Sequence, residues 1–130
     1  MHLDGFTTVN DRHGPSPGDA LLREVAHSIH ASLRGVDTLA HLSGDEFLVV
    51  CEDAGSAVDA LDVGERIRAA FAQPFSVAAG EARLTASVGL TLSRGREAEP
   101  SELIGETERA MDTAKARGGD CVGTYRAPRP

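Results

Sequence analysis

Apolar residues recur in this chain at two spacings, and the spacings divide it into helices and strands. Leu21, Val25, Ile29 and Leu33 repeat every four residues, a stripe that predicts one buried helix face. Ser16 is a candidate N-cap for that helix, with Pro17 in its first turn and Asp19 at its third position; Arg34-Gly35 would end it. Ala60, Val63, Ile67 and Phe71 form a second stripe, opened by Ser56-x-x-Asp59 and closed before Pro74. Leu103, Ile104, Thr107, Met111 and Ala114 form a third, started by Pro100-Ser101 and stopped by Gly118-Gly119. A shorter helix over 5–13 would hold Phe6 and Val9 on one side, and Gly14-Pro15 breaks it.

Between these stripes lie short β-prone runs. Thr38-Leu39-Ala40 and Leu48-Val49-Val50-Cys51 flank Ser43-Gly44-Asp45, which reads as a hairpin because Gly-Asp supports the positive φ of a tight turn. Phe75 to Val77 and Ala82 to Leu92 suggest a second hairpin around Gly80, and Asp120 to Tyr125 a last short strand. Met1 to Asp4 reads as the end of a strand. Strands interspersed with helices predict an α/β fold of mixed (α+β) type, a sheet packed by helices.

At 130 residues the chain supports one buried core. Tryptophan is absent and only four Phe and one Tyr are present, so aliphatic residues and Ala must fill it. A net charge of −7 argues against non-specific nucleic-acid binding. An acidic chain that handles triphosphates needs local cations. No apolar run approaches the ~20 residues of a membrane span, and no signal-peptide pattern is present. Cys51 and Cys121 lack metal-ligand spacing; buried free thiols in a reducing cytoplasm are expected.

The hairpin tip, Ser43-Gly44-Asp45-Glu46-Phe47, resembles the signature of the GGDEF family, the diguanylate cyclases that condense two GTP into cyclic di-GMP. Other segments are similar to the family's motifs in the same order: Leu3-Asp4-Gly5-Phe6, Val9-Asn10-Asp11-x-x-Gly14, Gly18-Asp19-x-x-Leu22, Thr85-Ala86-Ser87-Val88-Gly89-Leu90 and Ala110-Met111-x-x-Ala114-Lys115. Arg34-x-x-Asp37 resembles its product-inhibition motif. Gln73-Pro74-Phe75 and Ala82-Arg83-Leu84-Thr85 resemble GGDEF domains coupled to phosphodiesterase domains. The resemblance implies the nucleotidyl-cyclase fold over residues 1–125, with 126–130 a tail or linker stub. It also implies a helix and most of a strand ahead of Met1, so the domain is expected to be N-terminally incomplete.

The resemblance further implies a set of roles. Asp45, the carbonyl of Leu3 and a strand-end acid would hold Mg²⁺ or Mn²⁺, and Glu46 would assist the metal or the attacking hydroxyl. Asn10 and Asp19 would read guanine, Gly44 would lie against the nucleotide, and Lys115 would hold phosphate. Arg34 would fork to phosphate or guanine, and Asp37 would accept from guanine N1 and N2. Partners are GTP, cyclic di-GMP, a second copy of the domain, and linked sensor or phosphodiesterase domains.

Three positions depart from the family. Ser43 stands where the signature has its first Gly. The strand-end acid falls on His2, with Asp4 expected to point to the opposite face, and an expected arginine falls on Gly119. Mg²⁺ prefers oxygen ligands, and Mn²⁺ tolerates imidazole better. Losing a carboxylate beside a divalent ion removes roughly a few kcal/mol at an effective dielectric of ~20, on the order of a hundredfold in rate. A GGDEF domain with little or no turnover is therefore expected. The alternative is a non-catalytic module that binds GTP or cyclic di-GMP and regulates a neighbour.

Overall fold

In the computed structural model of the chain, residues 1–77, 80–93, 95 and 97–127 are described, residues 13, 15 and 16 by their backbone alone. The first strand, β1 (His2–Asp4), leads into α1 (Phe6–His13) and α2 (Pro15–Ala31). The hairpin β2 (Thr38–Ser43) and β3 (Glu46–Val50) precedes α3 (Ala57–Ala69). Then come β4 (Phe75–Val77), β5 (Gly80–Ala82), β6 (Thr85–Leu90), α4 (Pro100–Ala116) and β7 (Val122–Thr124).

Five strands form one mixed sheet in the order β2-β3-β1-β6-β7. β1 lies at its centre, antiparallel to β3 and to β6, while β6 and β7 run parallel. The long second strand expected over 82–92 is divided in two. Residues 80–82 pair with β4 in a separate two-stranded sheet, and only 85–90 enter the main one. Ala82 and Leu84 are both buried, so the apolar run is continuous even though the pairing partner changes.

The helical stripes lie where their spacing predicts. Leu21, Val25 and Ile29 are fully buried, and Val63, Ile67 and Phe71 join them with Leu3, Phe6 and Phe47 in one core. Each such side chain contributes about 1.5–3 kcal/mol on leaving water. Ser56 caps α3 in a reciprocal box with Asp59, satisfying backbone N–H groups at the helix start. The start of α2 differs from expectation: it begins at Pro15 behind Gly14, with no acid in its first turn. Proline fits the first helical position because its missing N–H has no partner there anyway. The helix also ends earlier, at Ala31, leaving Leu33 half-buried in the turn beyond it.

α4 lies across β6 and β7 at close range. An added Cβ on Gly89 would fall 2.0 Å from the Thr107 carbonyl oxygen, and one on Gly123 2.2 Å from that of Ala110. These two glycines are paired in register, so together they form a flat shelf for the helix backbone. Ala110, Met111 and Ala114 are buried, while Leu103, Ile104 and Thr107 are only half-buried. Glu106 is buried too, and Thr91 Oγ1 donates to its Oε2 at 2.6 Å. Cys51 and Cys121 are half-buried rather than enclosed, and neither forms a disulfide. Of the expected tail, residues 128–130 lie outside the described residues.

Candidate active site

β1 is pinned at the centre of the sheet by its backbone and by one carboxylate. Leu3 N–H donates to the Asp45 carbonyl at 2.9 Å, and Phe47 N–H to that of Met1 at 3.0 Å. Leu3, fully buried, points into the core. His2 and Asp4 flank it and, two residues apart on a strand, share the opposite face. Asp4 therefore does not turn away from His2, contrary to expectation.

Asp4 collects three donors from two separate segments, β6 and the turn after α4. Thr85 Oγ1 and Ser87 Oγ each donate at 2.8 Å, and the Asp120 N–H at 3.1 Å. Burial pushes its carboxyl up, but these donors outweigh it and hold the group below the usual carboxylate range. Thr85 and Ser87 belong to the T-x-S-x-G segment, so those residue types supply hydroxyls to the central strand.

The signature turn closes over this strand end. Gly44 has φ 45°, the left-handed conformation its turn requires. Asp45 leaves the turn towards β1, and its Oδ2 lies 2.7 Å from His2 Nε2, each side chain 24% exposed. Glu46 opens β3 directly opposite His2 and lines a small space of about 30 Å³ with Ile104, Thr107 and Glu108 of α4. Burial holds the Met1 amino group below its ordinary value, Glu46 pulling it up and Lys115 lowering it further. Lys115 is exposed on α4.

On the α2 side of the hairpin an open cleft of about 270 Å³ is lined by Asp19, Leu22, Arg23, Ala26, His41 and Phe47. Asp19 is exposed and lies beyond the first turn of α2, so it is not a helix-start acid. Asn10 packs against the helix: its Oδ1 occupies the space a side chain at Gly18 would need. His41 was not singled out by the sequence reading. Its ring stacks on Phe47 at 4.7 Å, and its Nε2 lies 2.7 Å from the Gly44 carbonyl oxygen, which accepts its proton. A histidine three residues before the turn glycine is the only sequence signal for that brace.

Arg34 and Asp37 form a closed unit at the far end of the hairpin. Arg34 donates to Asp37 Oδ1 at 2.9 Å through its guanidinium and to Oδ2 at 2.8 Å through its backbone N–H. It also reaches the Glu52 carbonyl at 2.6 Å. The Asp37 side chain is fully enclosed, whereas Arg34 remains 42% exposed. The Arg34 contact holds the Asp37 carboxyl below the usual carboxylate range, with a smaller contribution from Arg66. Arg68, at the end of α3, is engaged by Glu65 and Asp120. Burial pushes the nearby Cys51 thiol up, which disfavours its nucleophilic form.

The donor set bears on a bound ion. Among the described residues no group of three or more His, Cys, Asp and Glu side chains converges as a metal cage. One imidazole nitrogen and one carboxylate do converge, at His2 and Asp45. That pair suits an ion that accepts nitrogen, and it lacks the second carboxylate that a Mg²⁺ site would use.

The sequence profile of the diguanylate cyclase GGDEF domain matches residues 1–121. The bifunctional diguanylate cyclase/cyclic di-GMP phosphodiesterase MucR of Pseudomonas aeruginosa is 41% identical over 118 residues, 91% of this chain and 17% of MucR. The cyclic di-GMP phosphodiesterase PdeR of Escherichia coli is 37% identical over 127 residues, 95% of this chain and 19% of PdeR. The chain thus spans less than a fifth of either relative. The crystal structure of the GGDEF domain of YfiN (TpbB) from Pseudomonas aeruginosa superposes with a TM-score of 0.90 at 29% identity, covering 98% of this chain and 80% of that one. In sequence profile, relatives and backbone alike, the chain belongs to the GGDEF domain family.

Proposed function

We propose that this domain binds GTP in the cleft beside the signature turn and acts in cyclic di-GMP signalling with little or no turnover in Mg²⁺. The cleft carries the reading. It sets an exposed carboxylate, Asp19, and a guanidinium, Arg23, against the hairpin that bears Gly44 and Asp45. A carboxylate suits the N1 and N2 donors of guanine, and Asn10 next to Gly18 supplies an amide close by. Glu46, opposite His2 in register, would meet the attacking hydroxyl, and Lys115 in the last turn of α4 would meet phosphate oxygens. His2 and Asp45, with the carbonyl of Leu3, would hold the divalent ion, which supplies charge neutralisation in nucleotidyl transfer.

Low turnover follows from two positions. His2 cannot lend a carboxylate charge to an ion at Asp45. Gly119 has φ 75°, and a Cβ there would lie 3.0 Å from Asp4 Oδ2. An arginine at that position is strained before it reaches any phosphate, so Gly119→Arg is not expected to restore activity.

A second reading, a non-catalytic regulatory module, is supported by the His2–Asp45 contact and by the phosphodiesterase named in both relatives. Such a domain would bind GTP, or cyclic di-GMP at Arg34, and pass the signal to a linked domain in the cytoplasm. Here Arg34 would meet the ligand while the enclosed Asp37 holds it in place.

The test is calorimetry with GTP and ATP, paired with chromatographic detection of cyclic di-GMP. GTP should bind more tightly than ATP, and Asp19→Ala should weaken GTP by about tenfold or more. Equal affinity for both nucleotides would remove guanine from the cleft. Brisk synthesis in Mg²⁺ would overturn the low-turnover reading.

A further inference from the structure

The tip of the signature hairpin is tied on two sides through consecutive carbonyls. The Asp45 carbonyl accepts from Leu3 N–H at 2.9 Å, which joins the tip to the central strand. The Gly44 carbonyl accepts from His41 Nε2 at 2.7 Å, which joins it back to β2. This second tie lies where the ladder fails. β2 and β3 pair regularly up to His41 opposite Phe47, then shift register before Ser43 meets Glu46. Such an irregularity leaves backbone groups without ladder partners and bends the strand. The imidazole can replace a lost ladder bond only if its ring is held. The Phe47 ring holds it, with centroids 4.7 Å apart and planes inclined by 23°. Phe47 is itself 2% exposed, so the platform under the imidazole is fixed by the core. The same imidazole forms part of the cleft wall with Asp19 and Arg23.

We propose that His41 is a positioning residue for nucleotide binding: its Nε2–H fixes the Gly44 carbonyl, and with it the direction in which the Asp45 side chain leaves the turn. The two tied carbonyls belong to the two peptide groups that flank Asp45. A peptide group is planar, so holding both carbonyls holds φ and ψ of Asp45 and therefore its Cα–Cβ direction. Without the His41 bond the plane between Gly44 and Asp45 is free on one side. Gly44, at φ 45° and with no Cβ, does little to restrain it. A carbonyl only accepts, so the neutral imidazole carries its proton on Nε2. Because that ring also walls the cleft, a base bound there meets the side chain that sets Asp45. The inference rests on the proposed reading of the cleft as a nucleotide site, but its first readouts use no nucleotide.

Two substitutions separate the bond from the stack. His41→Phe keeps an aromatic ring against Phe47 and has no donor, whereas His41→Gln keeps an N–H and has no ring. In the unaltered chain, long-range proton–nitrogen spectra should find the His41 proton on Nε2, and nitrogen relaxation should find the Gly44 and Asp45 amides as ordered as β3. In His41→Phe those amides should become mobile while the urea midpoint stays close to that of the unaltered chain. In His41→Gln the midpoint should fall while the amides stay ordered. GTP affinity should follow the amides: His41→Phe should weaken it by about threefold to tenfold, and His41→Gln should recover most of that loss. A merely structural residue would lose affinity and stability together in both variants, and that parallel loss would overturn the proposal. An Asp45 amide that stays ordered in His41→Phe would overturn it too. So would a proton on Nδ1, which is read in the unaltered chain and needs no variant to fold. If the unaltered chain binds no GTP, the proposed function falls, and the tautomer and the amides alone decide whether His41 sets the turn.

Discussion

Single residues in this domain are held in ways that a sequence pattern only half announces. Asp37 is the clearest case, enclosed and bonded to Arg34 by side chain and backbone. Its carboxyl lies below its ordinary value, so the folded state binds its proton less readily than the unfolded chain does. The stabilisation is complete above the ordinary carboxylate value and fades as pH falls through the depressed one. Below about pH 4 the unaltered chain should therefore lose a contribution that Asp37→Asn never had. Urea midpoints measured from pH 7 to pH 2 should converge between the two proteins in acid. A constant gap would show that Asp37 does not titrate in the fold. Arg34-x-x-Asp37 is visible as a motif in sequence, but which partner is enclosed is not, because the enclosure comes from the turn at 32–37 and from Glu52 beyond the hairpin.

At the scale of elements, α4 is fixed to the sheet by what Gly89 and Gly123 lack. Gly89→Ala sets a methyl group 2.0 Å from a helix carbonyl, which the helix can relieve only by moving off the sheet. It should cost about 3 kcal/mol or more. A thermal melt that falls by only a degree or two would show that α4 has room to spare. Much of the element level was readable beforehand: the stripes of α2 and α3, the hairpin, and the stop at Gly118-Gly119 all follow from spacing and turn chemistry. The misses share a cause. Pairing is a property of two strands, so an apolar run over 82–92 could not reveal that Ala82 ends one sheet while only 85–90 enter the other. Likewise, Ser16 reads as a cap until Pro15 is seen to fit the first helical position. At the site, Asp45, Glu46 and Asp19 stood out as acids in patterned positions. His41 did not, since a brace between a ring and a carbonyl leaves no periodic trace.

For the whole molecule, the reaction of the GGDEF family sets a condition that one copy cannot meet, because joining two GTP molecules needs two sites face to face. Any residual synthesis by this chain should therefore rise with the square of protein concentration at low occupancy of the dimer. An activity series from about 1 to 100 μM, read by chromatography, distinguishes this from linear growth. Linear growth would mean that dimers are already complete at the lowest concentration, which sedimentation measures directly. Among the described residues no helix is long and apolar enough to cross a membrane.

The carboxylate of Asp4 joins sequence positions 116 apart when it accepts the Asp120 N–H. Local pieces, the α1–α2 pair and the β2–β3 hairpin, close short loops and can form early. The face bearing His2 cannot, for the Asp4 carboxylate lacks its Asp120 donor until the last helix has folded back and delivered residue 120. During synthesis the domain would then leave the ribosome with its core largely gathered and its chemistry still unassembled. The Asp4–Asp120 contact would form late, as the longest loop closed by any hydrogen bond among the described residues.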